Sequence, residues 1–342
     1  MSKVITEKPN RRRSIFIAIL LLAIIAGSGW QLFNSQFQPV DANDKTYQDI
    51  IIPASSTARQ IADILEEKNL IHSQRAFLSY CKKHGYDSSL MAGHYQFSRS
   101  QPLADIAEAI ATGKVVTISF TIPEGYTVKQ IGDLLVKKNI VTRGSWDQAV
   151  ASNYDYTFLK GLPPGEKSLE GFLFPDTYII AEDTSARQIV DAMLSHFELL
   201  WQQEFAALAK NRGQSINELV TIASLIEEEA RISSERSIIS GVIYNRLQRD
   251  MLLQIDATIL YCLPKHQEVL YYRDLEVDNP YNTYLYPGLP PGPITNPGKK
   301  SIEAALIPDK HNYLYYVSKG DGSHHFSETY AQHLAAKGKY ID

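Results

Sequence analysis

The chain has 342 residues, 44% of them hydrophobic, and a formal net charge of −4. That length and apolar content suit two or three domains with substantial cores, and the mildly acidic balance argues against a nucleic-acid partner. The two cysteines, Cys81 and Cys262, belong to no CxxC or His/Cys cluster, so no structural zinc site is expected. They are buried thiols or one long-range disulfide. The 20 tyrosines suit strand and core packing, or a carbohydrate groove that uses both ring face and hydroxyl.

Arg11, Arg12 and Arg13 precede an uncharged run from Ile15 to Leu32, and Trp30 sits where an interfacial aromatic belongs. Roughly 20 apolar residues span a bilayer, and a basic flank stays on the cytoplasmic side. Residues 14–33 are therefore expected to be a single transmembrane helix in the cytoplasmic (inner) membrane. The tail 1–13 is then cytoplasmic and the rest of the chain extracytoplasmic. The rival, a cleaved signal peptide, is disfavoured by a long apolar run and the lack of an Ala-x-Ala site. Residues 34–45 are polar and read as a tether.

"IPASSTARQIADILEEKN" (Ile52–Asn69) and "IPEGYTVKQIGDLLVKKN" (Ile122–Asn139) align without gaps, sharing Ile, Pro, Thr, Gln, Ile, Asp, Leu, Lys and Asn. Each predicts a strand end, a turn, and an amphipathic helix capped by Thr57 or Thr127. A short strand–helix unit, repeated and placed outside the membrane, resembles LysM-like wall-binding modules. A duplicated packing unit without a ligand explains the pattern equally well. Residues 46–144 are taken as this region and 145–342 as a second domain. The overall class is α+β.

Ser215 with Glu218 three residues on forms a capping box, so a helix starts there and runs to about Ala230. Leu219, Ile222, Ala223, Ile226 and Ala230 form its apolar stripe. With Ile226 at zero on a wheel of about 100° per residue, the triplet Glu227–Glu229 separates. Glu229 falls near −60°, beside Ile222, and Glu227 near 100°, at the other margin. Glu228, near 200°, faces away and is expected to be solvated. Burial and the negative helix end both disfavour a carboxylate at 229, which is how a general acid near neutral pH is made. The alternative is a structural ion pair with Arg231 or Arg236.

"SERSIISGVIYNRL" (Ser234–Leu247) predicts a second helix. "MLLQIDATILY" (Met251–Tyr261) interleaves Gln254, Asp256 and Thr258 with apolar residues, as a half-buried strand or cleft wall does. Asp278–Gly298, "DNPYNTYLYPGLPPGPITNPG", has too many prolines and glycines for a regular element. It carries too much apolar surface for a linker. It is expected to be an ordered loop presenting Tyr281, Asn282, Thr283 and Tyr284. "YLYYV" (Tyr313–Val317) reads as a strand, and "GDGSHHFS" (Gly320–Ser327) as a turn delivering His324.

Together "ASLIEEEA…SER", "VIYNRL", "LQIDATILY", "YNTY…GLPPGPI.NPG", "GSHHFS" and, upstream, "LEGFLFPDTY" resemble the YceG-like family of endolytic murein transglycosylases over nearly the whole chain. In that family's Glu-x-Glu motif the second glutamate is catalytic; it falls on Glu229, and Glu227 matches the first. Ala257 and Cys262 depart from the family's usual proline and glycine. The resemblance implies peptidoglycan strands as substrate and no cofactor. It implies a role in ending nascent strands, near the synthases of the elongation machinery. Gln254, Asp256, Tyr281, Asn282, Thr283, Tyr284 and His324 are then expected to hold the sugars or support the site. Two other readings stay open: a muramidase-type hydrolase with Asp256 or Asp278 as second carboxylate, and a non-catalytic wall anchor.

Overall fold

A computed structural model describes residues 11–162, 165–210, 212–263, 267 and 270–341. They form a mixed α+β chain, as expected. The chain divides into two compact units, one running to Ile118 with Ala181–Asp183, the other Ser119–Ile180 with Thr184–Asp342.

The first unit opens with helix α1 (Arg11–Ser35). Many side chains of the expected anchor at 14–33 lie outside the described residues. Among those described, no helix is long and apolar enough to cross a membrane. Strand β1 (Tyr47–Ile52), helices α2 (Ala58–Glu67) and α3 (Gln74–His84), strand β2 (Gly93–Ser98) and helix α4 (Leu103–Ala111) follow. β1 and β2 pair antiparallel, with Tyr47 opposite Ser98 and Ile52 opposite Gly93. The period of two along a strand turns Ile50, Ile52, Tyr95 and Phe97 inward, where they pack with Ile61, Leu65, Phe77 and Ile106. Cys81 is a buried free thiol here, pushed up to about 11 by burial. It does not bridge to Cys262, whose Sγ donates to the carbonyl of Thr258.

β3 (Thr117–Thr121) pairs with β4 (Thr177–Ala181), the strand that follows α5 (Val128–Lys137), α6 (Arg143–Val150) and α7 (Glu166–Leu169). The expected helix near 185–210 is α8 (Ala186–Leu200), running through a π turn (Trp201–Phe205) into α9 (Ala206–Ala209). Its apolar face meets Phe158 and Phe172; the Phe158 and Phe197 rings lie edge to face at 4.9 Å. Then come α10 (Ile216–Glu229), α11 (Arg236–Leu247), α12 (Asp256–Cys262), α13 (Lys299–Leu306), the β5 (Tyr315–Ser318)–β6 (His324–Ser327) hairpin and α14 (Tyr330–Tyr340).

α10 starts at the predicted capping box: Ser215 Oγ accepts from Glu218 N, and the Glu218 carboxylate accepts from Ser215 N. Every residue from Leu219 to Ile226 is buried. A helix enclosed all round has no solvent face. The hydroxyls of Thr221 and Ser224 are satisfied inside the helix, donating to the carbonyls of Asn217 and Thr221.

The two repeat copies share their local structure. Both helices carry complete capping boxes, Thr57 with Gln60 and Thr127 with Gln130. Both turns place one residue in the left-handed region, Ser55 (φ 63°) and Gly125 (φ 78°), and both end on a left-handed asparagine, Asn69 and Asn139. Their surroundings differ. The second copy belongs to the second unit, where Val128, Ile131 and Leu135 bury against Trp146 and Phe172. Compactness therefore divides the chain at 118, whereas the repeat alone suggests 144. Ala62 of the first helix is matched by Gly132, where a Cβ would stand 2.3 Å from Trp146 Nε1.

Residues 251–261 do not form the strand that the alternation allowed: a segment without helix or strand runs to Ile255, and α12 begins at Asp256. The alternation of apolar and polar residues arises from a turn and a short helix, each with its own inner face.

Candidate active site

The proline-rich segment lies along α10. Pro291 O accepts from Asn217 Nδ2 at 3.5 Å, Ile294 N donates to Ser224 Oγ at 3.1 Å, and Gly298 N donates to Glu227 Oε2 at 2.9 Å. Residues without helix or strand are thus held by a helix they follow end to end. Asn296 ties the segment to the second repeat turn. Its Nδ2 donates to Tyr126 O (2.8 Å) and Glu170 Oε1 (3.1 Å), and its Oδ1 accepts from Leu173 N (2.8 Å). Glu170 is fully buried, its pKa raised by burial, and it also accepts from Val128 N at the start of α5.

At the other end of α10 the three glutamates do different things. Glu227 is buried and braced: Arg236 Nη2 donates to Oε1 at 3.2 Å, and Gly298 N, the cap of α13, donates to Oε2. Arg236 also donates to Ser301 Oγ at 3.0 Å. Glu227 therefore joins α10, α11 and α13 and faces away from the cavity described below. Glu228 is not solvated as the wheel suggested. Burial, then the Glu227 charge, push its carboxyl up to about 7. The repeat turn covers it: a Cβ on Gly125 would lie 3.3 Å from Glu228 Oε1.

Glu229 closes the helix. Burial raises its carboxyl to about 7, with Asp256 and Glu228 adding to the rise; the Tyr316 hydrogen bond and the His324 charge oppose it. Tyr316 Oη donates to Glu229 Oε2 at 2.9 Å, and burial beside that carboxylate puts the Tyr316 pKa well above its usual value. Glu229 opens onto a cavity of about 380 Å³ between α11, the start of α12, the β5–β6 hairpin and α14.

Gln254, Asp256 and Tyr284 line that cavity with Glu229. Tyr284 donates to Asp256 Oδ1. Gln254 adopts φ 52°, a left-handed backbone at which a non-glycine residue is strained. The strain is held from behind: Gln254 N donates to Thr283 O (3.1 Å), Ile255 N to Thr283 Oγ1 (3.0 Å), and the Thr258 and Thr283 hydroxyls meet at 2.9 Å. Thr283 is therefore a buried support and does not line the cavity. Asn282, also buried, gives both amide hydrogens to the carbonyls of Leu275 and Val277 and accepts from Tyr284 N. Tyr281 packs against Tyr261, the rings tilted by 47° with centroids 4.9 Å apart. Asn282 and Thr283 thus hold Tyr284 and Gln254 toward the cavity. Asp278 is occupied outside it by Tyr286.

His324 sits behind Tyr316, rings edge to face at 5.4 Å. Its Nδ1 lies 2.7 Å from Glu235 Oε2, and its backbone N donates to Oε1 at 3.0 Å. Glu235, His324, Tyr316 and Glu229 form a contact chain from the start of α11 to the cavity.

Sequence reasoning missed Tyr316, Arg246, Tyr315, Tyr330, His333 and Lys337, all on the cavity wall. Arg246 was hidden inside an apolar helix pattern. It is buried, and gives Nε to Leu314 O (2.6 Å) and Nη1 to Leu252 O (3.1 Å) and Leu253 O (2.8 Å). An arginine in a helical core stripe was the available signal, because such a charge is buried only with partners. Among the described residues no group of His, Cys, Asp and Glu is placed to hold a metal ion.

The YceG-like family matches residues 50–339. The chain is 37% identical over 334 residues to the endolytic murein transglycosylase of Bacillus subtilis (strain 168), covering 93% of this chain and 91% of that protein. It is 33% identical to the protein of the same name from Streptococcus pneumoniae (strain D39), covering 89% of this chain and 60% of the longer relative. A crystal structure of a yceG-like protein from Listeria monocytogenes superposes with a TM-score of 0.58 at 34% identity, covering 86% of this chain and 100% of that one. With a single family spanning nearly all of the folded chain, this protein belongs to the YceG-like family.

Proposed function

We propose that this chain is an endolytic peptidoglycan lytic transglycosylase. It cleaves the β-1,4 bond between N-acetylmuramic acid and N-acetylglucosamine within glycan strands, with Glu229 as acid and then base. The observation that carries this is one carboxyl, held near 7 by burial, with one oxygen engaged by Tyr316 on a ring-lined cavity. At neutral pH such a group is populated in both forms the reaction needs.

Protonated Glu229 donates to the glycosidic oxygen as the C1–O bond breaks, and the N-acetylglucosamine side leaves as an alcohol. The resulting carboxylate takes the proton of the muramyl 6-hydroxyl as that oxygen bonds to C1. A 1,6-anhydro ring closes, Glu229 is protonated again, and no water is consumed. Attack from within the same sugar supplies a large proximity advantage. Tyr316 stabilises the carboxylate midway. Asp256, held by Tyr284, faces the same cavity, which favours a second reading: a hydrolase in which it is the second carboxylate. Mass spectrometry of digested sacculi separates the two. Anhydro ends, lighter by one water than reducing ends, are expected; reducing ends alone would establish hydrolysis.

Tyr316→Phe is expected to shift the pH profile. The lost hydrogen bond favoured the charged form, so the Glu229 pKa rises further. The alkaline limb of kcat/KM, where the acid form is lost, moves up by about one pH unit. An unmoved limb with reduced rate would reduce Tyr316 to a packing residue.

Three further parts of the reading rest on sequence. Residues 14–33 anchor the chain in the inner membrane with the N-terminus cytoplasmic. The first repeat copy and its surroundings act as a LysM-like wall-binding module. Cleavage near peptidoglycan synthases ends strand elongation.

A further inference from the structure

We infer that the α14 end of the cavity is a subsite for carboxylates carried on the muramyl 3-O-lactyl arm, with Lys337 as the specificity-determining cation. This inference rests on the murein reading above.

The cavity wall changes character along its length. At one end stand two acids, Glu229 and Asp256, with Tyr316 and Tyr284. At the other stand Tyr315, Tyr330, His333 and Lys337. The three rings cluster: Tyr315 stacks on His333 at 5.3 Å and 25°, and lies 5.9 Å from Tyr330. Arg246 joins the two ends. Its guanidinium is 5.1 Å from the Tyr315 centroid, its charge is felt by Tyr284 at one end and by His333 at the other, and three backbone carbonyls fix its position. Burial first, then the charges of Lys337 and Arg246, both cations, hold the His333 pKa below the usual histidine value. Lys337 is exposed and follows His333 by one helical turn, so both lie on the cavity side of α14.

Rings beside cations suit a ligand with an apolar face and a negative group. The sugars of a glycan strand are uncharged. Its charge is carried on the lactyl arm, as the carboxylates of an attached peptide or as the bare lactyl carboxylate. The acid end repels such a group and the α14 end attracts it, so the arm has one favoured direction in the cavity. Seating the arm there fixes which side of the muramyl ring meets Glu229.

The test uses the full-length protein on three preparations of glycan strands: with peptide stems, with every carboxylate coupled to methylamine, and with stems removed to leave lactyl carboxylates. Lys337→Glu should raise KM about fivefold on carboxylate-bearing strands, as expected for reversing one exposed charge, and leave kcat unchanged. On methylamide strands it should have no effect, and Lys337→Arg should behave as wild type. Raised salt should shrink the difference. An effect retained on stripped strands assigns the lactyl carboxylate, and one lost there assigns the peptide; either supports the subsite. An equal change on charged and neutral strands, or none on either, overturns it. Wild-type protein that cleaves none of the three would sink the murein reading itself, and the subsite with it.

Discussion

Glu229→Gln should lower fragment release from sacculi by roughly 10³-fold, within the range that one positioned acid–base group supplies. The amide has the shape of the carboxyl and still accepts from Tyr316 Oη, so the fold and the Glu235–His324–Tyr316 contacts should persist. Only proton donation and uptake are removed. Glu228→Gln is the matched control. That carboxyl is also pushed up to about 7, but it lies under the repeat turn beside Gly125, and its amide should cleave strands within a few-fold of wild type. Zymography and quantified fragment release, with thermal midpoints measured alongside, distinguish the two. If Glu229→Gln released fragments at the wild-type rate, the chain would be a wall-binding protein.

Glu227→Ala should act on stability first. The Glu227 side chain is 7% exposed and that of its partner Arg236 12%, and the other carboxylate oxygen holds Gly298 N. Removing the acid strands a buried guanidinium and a backbone N–H together, a loss of about 3–5 kcal/mol. For a unit of this size that lowers the thermal midpoint by roughly 10 °C. Glu227→Gln keeps an acceptor for one of the two donors and turns an amide N–H toward the other, so its loss should fall between those of wild type and Glu227→Ala. Residual activity should follow the folded fraction in both variants. A normal midpoint with lost activity would instead make Glu227 a partner in the chemistry.

Local signals in the sequence carried far. The capping boxes at Thr57, Thr127 and Ser215, the repeat, and the order of the proline-rich segment all appear where propensity and turn chemistry put them. Glu229 could be singled out because a residue at the margin of an apolar stripe needs only its own helix to be placed. Glu228 was misplaced for the same reason. A wheel holds one helix, and α10 is covered on the side where water was assumed. Asn282 and Thr283 were expected to hold the sugars or support the site because polar residues in a loop look available. In the fold their hydrogen bonds are spent on Leu275, Val277, Gln254 and Ile255. Tyr316, Lys337 and Arg246 reach Glu229's cavity across separations of 87, 108 and 17 residues. No local periodicity reports such a meeting.

The repeat carries one more consequence. Its copies differ most where their neighbours differ: Ser55 against Gly125, Ser56 against Tyr126, Ala62 against Gly132. The first copy answers only to its own small core, and the second is built into the scaffold behind the glutamates. One copy of a module can thus serve as a beam for a neighbouring site while the other packs only within its own unit. Cutting this chain at the end of the repeat would remove the beam along with the module.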